Sequence, residues 1–160
     1  MNGDDDHLTK LHLELPNHWW HKSESIWARA LGSDRYEIRN VPFCAYGLNF
    51  GDVVLATADQ PDLKPEVRRV VAASGHRTLR IFFSEGVERA QQVAQLDQLV
   101  TLGAQVERAD ARFVCLDLRP CVDYQACRQA LDAMEAAGVL AYETCETRTE
   151  GSFDDRPRDN

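Results

Sequence analysis

The sequence predicts an α+β protein: a small N-terminal β-barrel-like module over residues 8–77, packed on a C-terminal ferredoxin-like βαββαβ unit over residues 78–146. Three observations predict it. Up to residue 83 the chain offers short strand-like segments at regular spacing, separated by Gly, Pro, Asp and Ser clusters. From residue 84 onward, apolar residues recur at spacings of three and four in two stretches, each between strand-like runs. The resulting order from Thr78 is strand, helix, strand, strand, helix, strand, which places an antiparallel sheet beneath two helices.

The elements follow in order. Residues 1–7, with Asp4-Asp5-Asp6, read as a solvated tail. Lys10 to Leu15 alternates strictly, with Leu11, Leu13 and Leu15 on one face, as a half-buried strand does. Pro16 to His21 is a turn-like connection. Ser25 to Leu31 and Arg35 to Arg39 are the next strands, joined by Gly32-Ser33-Asp34, and Asp52 to Thr57 is a fourth. Glu66 to Ala73 and Thr78 to Phe83 read as a hairpin around Ser74-Gly75-His76. A helix then opens with Ser84 as its N-cap, burying Ala90, Val93, Leu96 and Val100, and Gly103 ends it. Strands at Gln105 to Arg108 and Arg112 to Leu118 precede a second helix from Val122 to Ala137. Its buried stripe is Tyr124, Cys127, Leu131 and Met134, and Gly138 stops it. Val139 to Cys145 is the last strand, and residues 147–160 read as a disordered tail. Adjacent Phe82 and Phe83, and Val114-Cys115-Leu116, give the sheet apolar residues on both faces. One face suits the helices, and the other needs a cover from the N-terminal module or a partner chain.

Net charge is −8 in 160 residues, and the last sixty residues carry twelve acidic against seven basic side chains. An acidic surface repels phosphate backbones and anionic headgroups, which argues against nucleic-acid or membrane partners and for a basic protein partner. It equally serves plain solubility. No apolar run approaches the roughly 20 residues of a membrane span, and the acidic start does not resemble a signal peptide, so the expected location is the cytoplasm. Five cysteines at 44, 115, 121, 127 and 145 form no CxxC pair, so reduced structural thiols and no metal are expected.

The stretches Glu24-Ser-Ile-Trp-Ala28, Tyr36 to Phe43, Ala45-Tyr-Gly47, Gly51-Asp-Val-Val54 and Arg69-Val70 with Ser74-Gly-His76 resemble a bacterial family known as domain of unknown function 4265. Arg119-Pro120 with Asp123-Tyr124 is similar too, and the likeness runs over about residues 10 to 146. Cys44 stands where the family pattern leads one to expect an aromatic. The resemblance implies the fold and no activity. By analogy with other small bacterial families of this kind, an immunity or antitoxin role is the functional expectation.

No phosphate-cradling glycine loop, nucleophile elbow or carboxylate pair is present, and no catalytic residue or cofactor is expected. The leading reading is a non-enzymatic cytosolic protein that occludes a basic site on a toxin. Its expected partner-binding residues are Asp117, Asp123, Tyr124, Tyr142, Glu143 and Glu146, acids forming a rim around aromatic anchors. Trp27, Tyr46 and Asp52 are candidates for an aromatic-lined pocket, which favours the alternative of a small-molecule-sensing domain. A third alternative is an enzyme using Cys44 as nucleophile with His76 as base. His18-Trp19-Trp20-His21 has the i,i+3 spacing of a ligand pair, but no third ligand at suitable spacing completes a metal site.

Overall fold

The computed structural model describes residues 7–159, so the acidic start at residues 1–6 lies outside it. The chain is α+β and divides into two compact units. The first comprises the chain up to Ser74 together with the segment from Glu146 onward, and the second is Gly75–Cys145.

In the first unit, β1 (Leu8–Glu14) pairs antiparallel with β2 (Ser23–Gly32), from Leu8 opposite Arg29 to Glu14 opposite Ser23. The alternation read from sequence is borne out: Leu11, Leu13 and Leu15 are buried. Ile26 and Ala28 of β2 point into the same core. The turn to β3 (Arg35–Ile38) holds Gly32, Ser33 and Asp34 all at positive φ, which suits the Gly and Asp there. β4 (Val53–Thr57) pairs with β3 on one side and with β5 (Glu66–Ala72) on the other. A single parallel pair, His12 opposite Glu66, closes the circuit between β1 and β5.

Three buried carboxylates hold this unit's irregular segments. Glu24 accepts backbone N–H groups from Phe43 (2.6 Å), Cys44 (3.1 Å) and Ala45 (3.0 Å). Asp52 accepts from Asn49 N (2.9 Å) and Ser74 N (2.8 Å). Asp154 accepts from the backbone and side-chain amides of Asn17, the closer contacts at 3.0 and 2.8 Å.

Two expectations fail here. Residues 147–156 are held in place and are not a disordered tail: Phe153 packs on the apolar core and its carbonyl accepts from Tyr46 N at 2.9 Å. Their Arg- and Asp-rich composition suggested a solvated tail, yet one aromatic and one buried carboxylate suffice to anchor them. Nor do β5 and the following strand form a hairpin. Both donors of Ser74 are spent on the 50–52 turn, its N–H on Asp52 and its hydroxyl on Phe50 O (2.6 Å), and the two strands join different sheets.

The second unit runs β6 (Arg77–Phe83), α1 (Arg89–Thr101), β7 (Gln105–Arg108), β8 (Phe113–Leu118), α2 (Tyr124–Ala136) and β9 (Leu140–Thr144). Its sheet has the order β7-β8-β6-β9, every pair antiparallel. Leu79, Ile81, Val114 and Leu116 face Leu96 and Leu99 of α1 and Cys127, Leu131 and Met134 of α2 in one core. Fully burying one such leucine stabilises by about 1.5–3 kcal/mol.

The N-cap of α1 is Glu88, not Ser84, because Gly86 sits at φ 86°, outside helical space. Ser84 instead donates its hydroxyl to Gly138 O at 2.8 Å, and Gln91 Oε1 accepts from Glu88 N at 3.1 Å to cap the helix. Its buried face is Gln92, Leu96 and Leu99, while Val93 (46%) and Val100 (50%) are exposed. The expected stripe was rotated by about one position, since a polar residue, Gln92, takes the inward place and donates to Val87 O and Ala111 O at 3.2 Å. α2 matches its expected stripe at Cys127, Leu131 and Met134, with Tyr124 only half-buried at its edge, and Asp123 accepts from Ala126 N at 3.0 Å as N-cap.

All three tryptophans lie in the first unit, at 19, 20 and 27, so their fluorescence reports on it. Phe153→Ala lowers the unfolding free energy by about 2 kcal/mol in urea titrations, roughly half the cost of deleting a fully buried phenylalanine. Deleting residues 147–160 costs more; a disordered tail would change nothing.

Candidate functional site

The expected partner-binding residues separate into inner and outer groups. Asp117 is buried and its carboxylate meets His76 Nδ1 at 2.8 Å. Glu143 pairs with Arg80 at 3.4 Å, and the Arg80 side chain has 0% exposure. Both acids therefore serve the inside of the sheet, on the face opposite the helices. That face was expected to be apolar. It carries the stacked pair Phe82 and Phe113 (centroids 4.6 Å apart) and Cys115, but also Thr78, Arg80 and Asp117. Taking a guanidinium out of water is costly unless it is paired, so Glu143 is a structural counter-ion. Glu146 is exposed and belongs to the first unit, whereas the other five belong to the second.

Tyr124 and Tyr142 do come together, through a residue the sequence reading overlooked. Tyr124, Arg128 and Asp132 lie four residues apart on one side of α2, and Tyr142 projects beside them from β9. The Arg128 guanidinium lies 5.9 Å from the Tyr124 ring centre and 6.0 Å from that of Tyr142, and Arg77 covers the Tyr124 ring at 3.4 Å. Arg128 Nε donates to the Tyr142 hydroxyl at 3.4 Å, and that hydroxyl donates in turn to Asp132 through a short hydrogen bond. Glu135 accepts from Tyr142 N at 3.1 Å. The result is an arginine–tyrosine ladder with Asp123, Asp132 and Glu135 exposed beside it. Burial, and then the Asp132 hydrogen bond, push the Tyr142 phenol above its ordinary pKa, and the bond to Tyr142 raises that of Arg128. The i,i+4,i+8 spacing of Tyr124, Arg128 and Asp132 was the signal that could have revealed the ladder.

Trp27, Tyr46 and Asp52 do not line one pocket. Trp27 is 43% exposed with the Lys10 ammonium 5.0 Å over its ring, and its backbone N–H donates to Asn40 Oδ1 at 2.6 Å. Tyr46 is fully buried beneath the Arg148 guanidinium (4.5 Å), and Asp52 is spent on backbone amides. His18 Nδ1 accepts from Trp20 N (3.0 Å) and His21 N (3.2 Å), so this nitrogen closes a turn. Cys44 belongs to the first unit's core and His76 is engaged by Asp117. Among the described residues no group of three or more His, Cys, Asp or Glu side chains has the arrangement of a metal site, and no helix is long and apolar enough to cross a membrane.

Within the run from Glu24 to Val54, the side chains of Glu24, Asn40 and Asp52 are thus engaged in supporting backbone amides. The model of a domain of unknown function, DUF4265, matches residues 24–142. The chain belongs to the DUF4265 family. The fold is also similar to a crystal structure of a hypothetical protein from Neisseria gonorrhoeae, with a TM-score of 0.70 at 16% identity, covering 88% of this chain and 96% of that one. At that identity the likeness speaks for the fold alone. The curated proteins offer no match. Within this DUF4265 chain the ladder is the assembly of expected site residues that survives in space.

Two outcomes follow. A phenol with a raised pKa in the folded state stabilises fully below the unfolded value near 10 and loses that contribution as pH rises through the folded value. Wild-type melting temperature should therefore fall more steeply above pH ~10 than that of Tyr142→Phe. Among the five thiols only Cys121 is exposed, and burial followed by the Asp123 charge raises the Cys127 pKa. Native alkylation followed by peptide mass spectrometry should label Cys121 alone, the other four reacting only after unfolding.

Proposed function

We propose that this chain acts by surface contact, as a non-enzymatic cytosolic binding protein that inhibits a basic partner in the manner of an immunity protein. The observation that carries the proposal is the ladder of Tyr124, Arg128 and Tyr142, bordered by the exposed carboxylates of Asp123, Asp132 and Glu135. Tyrosine and arginine dominate the energetics of protein interfaces because they bury large area at low entropic cost and keep a polar tip. Here hydrogen bonds to Asp132 and Glu135 hold Tyr142 in place before any partner arrives, which lowers the ordering cost of binding. The carboxylates supply the sign that attracts a basic cleft.

A finer fold reading accompanies this one: a small β-barrel followed by a ferredoxin-like unit. The closed circuit of β1 to β5 and the order β7-β8-β6-β9, with the helices linking β6 to β7 and β8 to β9, support it.

The test is capture of the partner from the native host, then its affinity measured at low and high salt. Tyr142→Ala should weaken binding about thirty-fold, equivalent to ~2 kcal/mol for an interface anchor. Asp132→Asn with Glu135→Gln should flatten the salt dependence. A captured partner that binds equally well at both salt concentrations, and equally to all these variants, removes the proposal.

A further inference from the structure

We propose that the first unit carries a binding site for a small organic oxyanion, in a groove between β5 and the 147–153 segment. The groove encloses about 190 Å³ and is lined by Arg68, Arg69 and Val70 on one side and by Gly47, Thr147 and Gly151 to Phe153 on the other. A cavity of about 150 Å³ already admits benzene, so the space suits an anionic group attached to a body of one-ring size.

A break in register puts two arginines on one wall. Successive residues of a strand normally face opposite sides. In the β4–β5 ladder Leu55 faces Arg69 while Ala56 faces Val67, leaving Arg68 as the additional residue of a bulge. Bulges re-aim side chains in this way, and both guanidinium-bearing residues line the groove as a result. Arg68 is partly committed: its Nε donates to Thr57 Oγ1 at 3.0 Å and its Nη1 meets Glu66 at 3.4 Å. Arg69 makes no ion pair or side-chain hydrogen bond among the described residues.

The opposite wall offers hydroxyls and no carboxylate. Gly47, at φ 77°, leaves no room for a side chain, since a Cβ there would collide with the Thr147 hydroxyl. Ser152 Oγ accepts from Asp154 N at 3.0 Å, which keeps its own hydrogen for donation. The acids of this segment look elsewhere: Asp154 holds Asn17, Asp155 pairs with Arg148 at 3.6 Å, and Glu150 is exposed outside the lining. In a chain of net charge −8, this groove collects positive charge and donors around an apolar floor of Val70 and Phe153. Guanidinium and hydroxyl donors would take the oxyanion, and the floor its carbon body. The ladder of the second unit plays no part in this inference.

Thermal shift and calorimetric titration of the full chain with phenyl phosphate, benzoate and inorganic phosphate test the site. Phenyl phosphate or benzoate should raise the melting temperature at millimolar concentration, and whichever binds more tightly tells a phosphate ester from a carboxylate. Inorganic phosphate, lacking the ring, should bind more weakly than phenyl phosphate. R69Q should lower affinity for the better probe at least about ten-fold, the loss expected for one charge-assisted contact, without changing the unliganded melting temperature. Thr147→Val should lower it by a smaller factor. If none of the three anions shifts the melt, or R69Q binds as the wild type does, the site does not exist.

Discussion

Removing a carboxylate from water is costly unless its oxygens are met by donors, and the first unit does this at Glu24, Asp52 and Asp154. Each is satisfied by backbone N–H groups from a segment that is neither helix nor strand. Glu24 gathers three consecutive amides at 43–45, Asp52 ties the 49–52 turn to Ser74, and Asp154 secures Asn17. The apolar core of this unit supplies burial without direction. The carboxylates supply direction, holding the irregular segments at Asn17, 43–45, Asn49 and Ser74 in place.

Much of the architecture was legible in the sequence because it rests on short-range physics. The leucine alternation of β1, the turn residues at 32–34 and the 127, 131, 134 stripe of α2 each express a local period or a local conformational need. What stayed hidden depends on partners far along the chain. Ser74-Gly75-His76 has hairpin composition, but Asp52, twenty-two residues away, takes its first amide. The end of the chain has the composition of a solvated tail, and only the positions of Asn17 and Tyr46 explain why it is held.

The site was less legible for a related reason: composition reports charge and not its exposure. Asp117 and Glu143 look no different in sequence from Asp132 and Glu135, yet the first two neutralise or orient buried cations and rings. Arg80 at 0% exposure could not be foreseen either, since an arginine within an apolar strand run reads as its solvent face. The two tyrosines were recognised and their link was not, because Arg128 matters through its reach across to β9.

The hydrogen bond from the Tyr142 amide to Glu135 has one more consequence. β9 is the outermost strand on its side of the sheet, and that amide is the kind of donor an incoming strand would seize. A carboxylate seated on it blunts the border, since a newcomer must first displace a charged acceptor. The other border, β7, pairs with β8 alone among the described strands. Occupied edge donors of this kind work against edge-to-edge pairing. The same small contact that steadies a tyrosine also takes one donor away from the border of the sheet.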